Sequence, residues 1–168
     1  FGGLMEKQGV QLGIEALALL KTEIPDAKFL VVGGGRPGRL KALQSLAQDH
    51  GVVDSVEFTG VINDHNDALR RISRAAIGIA PYTDAPDNFT KNTDPGKPKA
   101  YLSVGLPVLI TDVPEVAQII EKANAGFVVK YSAKSLAQQL AKLMRDDALF
   151  DNLKHQARQL AQRYDWKI

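Results

Sequence analysis

Four short apolar runs constrain this chain more than anything else in it: Lys28-Phe-Leu-Val-Val32, Ala76-Ile-Gly-Ile-Ala80, Val108-Leu-Ile110 and Gly126-Phe-Val-Val129. A nearly continuous apolar run is how a strand buried on both faces reads. Between these runs the apolar residues recur at helical spacing, as in Val10, Ile14, Leu17 and Leu20, or Leu136, Leu140 and Leu143. Strands that need cover on both sides, each followed by a helix, imply a parallel sheet with helices on both faces. Phe1 to Glu6 and the alternating Ser55-Val-Glu-Phe-Thr59 supply two further strands. The expectation is therefore a three-layer α/β domain of about six parallel strands, with an extra helix at the end.

The helix starts carry their own signals. Asp64, Ser132 and Asp147 are placed to cap helices, and Pro114 to open one at its first turn. Pro107 falls at the first residue of a strand, where its missing N–H costs little.

Composition narrows the function classes. The 168 residues suit one domain, residues 1–168, large enough to bury roughly two-thirds of its unfolded surface. A formal charge of +2 gives no footing for nucleic acid or an anionic surface. There is no cysteine, so disulfides and thiolate metal sites are excluded. His50, His65 and His155 are scattered without ligand spacing, and no metal is expected. No apolar run approaches the roughly 20 residues that cross a bilayer. The chain opens at Phe1 without a leader pattern, which reads as a domain taken from a longer protein.

The stretch Asp94-Pro-Gly-Lys-Pro-Lys-Ala-Tyr-Leu-Ser-Val-Gly-Leu-Pro-Val-Leu-Ile-Thr-Asp112 reads as a loop, a short helix from Lys97 to Val104, a turn at Gly105 and a buried strand. A loop feeding a helix N-terminus, with a cation beside it, can hold an anion such as a diphosphate. An ordinary helix start with solvated lysines is the competing reading. Three glycine-bearing loops fall at the same strand ends: Gly2 to Gly9, Gly33 to Gly38, and Thr59-Gly60-Val61. In open parallel sheets, ligands bind outside the carboxyl ends of the strands. The long segment from Pro81 to Gly96 joins them, and loops of that length are commonly functional or mobile.

Two familiar chemistries do not fit. Gly33-Gly-Gly-Arg-Pro-Gly38 matches a dinucleotide fingerprint literally, but Pro37 stands where the helix should begin and the strand is not the first. Ser103 follows a helix and not a strand, so it is no nucleophile elbow.

Taken in order, seven pieces resemble the C-terminal, nucleotide-sugar-binding domain of GT-B glycosyltransferases, especially the retaining group called family 4 or group 1. They are Phe1-Gly-Gly-Leu-Met-Glu-Lys-Gln-Gly-Val10, Phe29-Leu-Val-Val-Gly-Gly-Gly35, Val56-Glu-Phe-Thr-Gly-Val61, Ala80-Pro-Tyr82, Ser103-Val-Gly-Leu-Pro-Val-Leu109, the run from Glu115 to Val129, and Tyr164-Asp-Trp166. The resemblance spans essentially the whole chain. It implies a Rossmann-like donor lobe whose active site closes against an N-terminal acceptor lobe of the same protein. The donor would be a nucleotide-diphosphate sugar, with no cofactor, in the cytoplasm or at the inner face of a membrane. Lys97 would be the catalytic cation. Gly3, Lys7, Gly34, Gly35, Thr59, Gly60, Val61, Asp94 and Gly96 would complete the binding site, the strand end at Thr59 to Val61 facing the base.

The sequence also departs from that pattern. The paired glutamates of many members align with Asn92 and Ala100, the arginine of the first loop with Gly3, and its lysine with Gln8 beside Lys7. Asp94-Pro-Gly-Lys97 instead looks like a "Ser-Pro-x-Lys" entrance with Asp for Ser. A degenerate lobe kept for binding or assembly, or a nucleotide-sugar epimerase of related architecture, are the alternatives.

Overall fold

The computed structural model describes residues 1–164. The expected aromatic ending at Trp166 lies outside the described residues. Among the described residues, five parallel strands and seven α-helices are formed: β1 (Phe29–Val32), β2 (Val56–Gly60), β3 (Gly78–Ala80), β4 (Val108–Thr111), β5 (Gly126–Val129), and α1 (Val10–Leu20), α2 (Arg39–Asp49), α3 (His65–Ile72), α4 (Gly96–Ser103), α5 (Val116–Lys122), α6 (Ala133–Arg145) and α7 (Asp147–Ala161). Strands β1 and β2 form one sheet, and β3, β4 and β5 a second, in the order β3-β4-β5. Val31 pairs with Phe58 in the first, and Leu109 pairs with both Ile79 and Phe127 in the second.

Strand alternation sends neighbouring side chains to opposite faces. Leu109 therefore joins Ile14, Leu17, Leu43 and Leu136 in a core under α1, α2 and α6. Val108 and Ile110 join Leu102, Val116, Ile120 and Leu160 in a second core under α4, α5 and α7. All four β4 side chains are buried, those of Val108, Leu109 and Ile110 completely. Each such side chain contributes roughly 1.5–3 kcal/mol by leaving water, so β4 is the strand that holds both layers together. No helix among the described residues is long and apolar enough to cross a membrane.

The count of about six strands is corrected to five. Phe1 to Glu6 is not a ladder strand: Gly2 and Leu4 donate to Val32 and Gly34 at 2.8 and 2.9 Å, and the chain then turns through a 3-10 segment, Glu6–Gln8. Ser132 and Asp64 cap α6 and α3 as expected, accepting from Ser135 and Asp67. The α7 cap is Asp146 and not Asp147, because it is Asp146 that keeps a non-helical backbone and accepts from the Leu149 N–H at 2.9 Å. Pro114 stands ahead of α5, its carbonyl accepting from Ala117.

Candidate functional site

Three loops meet at the carboxyl edge of β1 and β2 through their main chains. Beyond the two bonds from Gly2 and Leu4, Gly33 donates to Gly60 at 3.0 Å. Glycine is required where they touch. A Cβ at Gly33, whose φ is +134°, would lie 1.9 Å from the Gly2 carbonyl oxygen, and one at Gly34 would lie 2.4 Å from Val61 Cγ2. Gly35 packs against Leu4 and Arg39. Thr59 turns its hydroxyl onto the Gly60 carbonyl at 2.9 Å. Gly3 is exposed and Val61 is 69% exposed, so this rim offers backbone and one apolar side chain to an incoming group.

The segment from Pro81 to Gly96 is more ordered than its composition suggests. Asn88, 2% exposed, donates to the Thr83 carbonyl at 2.7 Å and accepts from the Thr90 N–H at 3.1 Å, capping a 3-10 turn, Phe89–Asn92. The first loop is bound to it: Thr83 N–H donates to the Lys7 carbonyl at 3.2 Å. Lys7 Nζ donates to the Asp87 carbonyl at 3.0 Å and pairs with its carboxylate. The hydrogen bond from Lys7 holds that carboxyl below the usual range. Asp94 pairs with Lys99 at the entrance to α4. Lys7 and Asp94, both expected at the ligand, thus also fasten their own loops.

Lys97 is different. It is the second residue of α4, after Pro95 in extended backbone, and it is 9% exposed. Its Nζ lies 5.2 Å from the centroid of the Tyr82 ring. Among the described residues it makes no ion pair or side-chain hydrogen bond. Burial alone brings its pKa down to about 8. The Tyr82 carbonyl accepts from Thr111 at 2.7 Å, while its buried hydroxyl finds no partner among the described residues. Burial raises the Tyr82 pKa, so this neighbour stays neutral. A desolvated cation beside a ring, near the start of a helix, has its charge stabilised by any anion that arrives.

The structure thus gathers Gly3, Gly34, Gly35, Thr59, Gly60 and Val61 at one rim, and ties Lys7 to the loop that leads through Asp94 and Gly96 to Lys97. Asn92 ends the 3-10 turn and Ala100 is buried in α4, so neither supplies a carboxylate. Two residues went unread in the sequence. Arg39 donates to the Leu4 carbonyl at 2.8 Å and to Gln11 at 2.7 Å, and Asn88 organises the long loop. Arg39 carried no local signal, since its partners stand 35 and 28 residues away. Asn88 stands two residues before Thr90, a spacing at which an asparagine caps a turn.

Several known proteins are similar to this chain. Residues 1–146 match the family described as glycosyl transferases group 1. The chain is 24% identical over 163 residues to a phosphatidyl-myo-inositol mannosyltransferase of Mycobacterium leprae, covering 96% of this chain and 40% of that protein. It is 28% identical to WaaG, a glycosyltransferase involved in lipopolysaccharide biosynthesis, with a TM-score of 0.75 over 93% of this chain and 40% of WaaG. The C-terminal domain of the Francisella tularensis protein LpcC superposes with a TM-score of 0.80 at 23% identity, over 97% of this chain and 82% of that one, which shows the fold. The chain therefore spans about two-fifths of the length of the curated relative it matches. The family match covers most of the chain and the fold agrees with it, so the chain belongs to the group 1 glycosyl transferases.

Proposed function

We propose that this chain is the donor-binding half of a glycosyltransferase that takes a nucleotide-diphosphate sugar, with Lys97 as the catalytic cation. The buried, carboxylate-free ammonium of Lys97 carries the reading. Transfer breaks the bond between the anomeric carbon and the diphosphate as an acceptor hydroxyl attacks that carbon, and the leaving diphosphate gains charge. A preorganised cation and main-chain N–H groups stabilise that charge in proportion to how dry they are. In this reading the N-terminus of α4 and the amides near Gly3, Gly34 and Gly35 face the phosphates, with Lys7, Asp94 and Gly96 shaping their entrance. Thr59, Gly60 and Val61 face the base. Anabaena HepE, similar in fold, has been solved in complex with UDP-glucose, which supports a nucleotide-sugar donor here. Retention at the anomeric carbon, and closure against an N-terminal acceptor lobe, rest on the family resemblance.

Asn92 and Ala100 favour a second reading, a lobe kept for binding without transfer. Lys97→Ala in the full-length polypeptide separates the two. The donor reading expects turnover to fall by roughly a hundredfold, the effect of losing one transition-state charge partner. Unchanged turnover overturns the clamp.

A further inference from the structure

Several elements converge on Arg39, the first residue of α2. Its stem lies against Gly35, where an added Cβ would be 3.2 Å from Arg39 Cβ and 3.3 Å from Leu4 Cβ. Its head reaches the first loop. Nε donates to the Leu4 carbonyl at 2.8 Å, and a terminal nitrogen donates to Gln11 Oε1 at 2.7 Å. Gln11, on α1, donates in turn to the Glu6 carbonyl at 2.7 Å and to the Tyr131 hydroxyl, beyond β5, at 3.2 Å. The Arg39 side chain is 17% exposed, and the Glu6 carboxylate 3.9 Å away is a solvated contact that contributes little.

These bonds fix which way the peptides of the first loop point. The C=O and N–H of a trans peptide face opposite ways, and no described peptide is cis. With the Leu4 and Glu6 carbonyls turned onto Arg39 and Gln11, the Met5 and Lys7 N–H groups face away from that pair. Among the described residues nothing accepts from either N–H. Released from the two side chains, each peptide is free to turn over and present oxygen, which repels an anion, in place of N–H, which attracts one. Little else holds the loop from this side: Gly3 has no side chain, and Lys7 is engaged with Asp87 of the long loop.

We infer that Arg39 is a positioning residue for the donor's diphosphate, acting through the Leu4 and Glu6 carbonyls to keep the first loop's amides turned toward the phosphates. The inference rests on the donor reading above. A guanidinium suits the task because its N–H groups diverge in one rigid plane, so a single head reaches Leu4 and Gln11 together. A lysine ammonium carries the same charge without that plane.

Titration of the full-length polypeptide with UDP, GDP and ADP, each beside its monophosphate, tests the role. Where a diphosphate binds the unsubstituted protein, Arg39→Ala should weaken it by about tenfold, a modest share of what a 1 Å misplacement can cost. The monophosphate should be nearly unaffected. Arg39→Lys should behave like Arg39→Ala. Equal weakening of diphosphate and monophosphate overturns the inference, because general loosening of the fold would act on both. Full affinity in Arg39→Lys overturns it as well, since charge alone would then suffice. Lys97→Met separates this inference from the donor reading. Diphosphate affinity lost in Lys97→Met but kept in Arg39→Ala removes the role of Arg39 and leaves the donor reading standing. No diphosphate binding by the unsubstituted protein removes both. Should Arg39→Ala fail to fold, Gln11→Met supplies the comparison, because it releases the Glu6 carbonyl from a partly exposed position. A selective loss of diphosphate affinity is expected there too, and unchanged affinity overturns the inference.

Discussion

Lys97 Nζ stands 5.2 Å from the centre of the Tyr82 ring, and among the described residues no carboxylate pairs with it. A buried cation of this kind destabilises the empty protein, and the cost is recovered only when an anion binds. In the proposed reading the site is built at the expense of the fold, which is the usual direction of the exchange between stability and activity.

The first prediction concerns pH. The Lys97 pKa is about 8 in the folded protein against 10.5 for an ordinary lysine. Between those values the unfolded chain binds more protons than the folded one, so stability rises with pH across that window. Below about 8 both states are protonated and the full penalty of burying the charge remains. Urea unfolding of the nucleotide-free protein at pH 7 and pH 10 should show a gain at the higher pH that Lys97→Met removes. The variant itself should be more stable at pH 7.

Glycine substitutions should separate close approach from backbone strain. Gly9 and Gly60 both have a φ of +71°, but a Cβ at Gly9 would fall 1.9 Å from the Pro81 carbonyl oxygen, whereas one at Gly60 would meet nothing within 4 Å. Gly60→Ala should cost about 1–2 kcal/mol, the price of a left-handed alanine. Gly9→Ala should cost clearly more, because the first loop must leave the Pro81 segment. Equal midpoints in denaturant would contradict the packing described here.

Asn88→Ala removes a buried side chain that both donates to Thr83 and accepts from Thr90. Stability should fall by about 1–3 kcal/mol, the cost of stranding buried polar groups. Faster amide exchange at Thr90 should accompany it, and nucleotide affinity should weaken without any loss of a charged contact.

Much of this was readable in the sequence, and the parts that were not share a physical reason. The continuous apolar run at Val108 to Ile110 announces a strand buried on both faces, and β4 is that strand. The cap at Asp64 and the glycine turns are local chemistry, so they were legible. Phe1 to Glu6 looked like a strand by composition, yet a strand needs a ladder on its edges. Only Gly2 and Leu4 have one. Asp146 and Asp147 are chemically equivalent, and the choice between them lies in one backbone angle. The pairing of Lys7 with Asp87 joins positions 80 residues apart, and the Tyr82 ring beside Lys97 comes from the loop after β3. Neither leaves a trace in local periodicity.

Calorimetric titration of UDP, GDP and ADP into the full-length polypeptide and its Lys97→Met variant bears most directly on the donor site. At least one diphosphate should bind the unsubstituted protein, and the variant should bind it about tenfold to a hundredfold more weakly, the worth of one charged hydrogen bond. The matching monophosphate should be affected less. Absence of binding by all three, or equal affinity in the variant, would contradict a diphosphate clamp at Lys97.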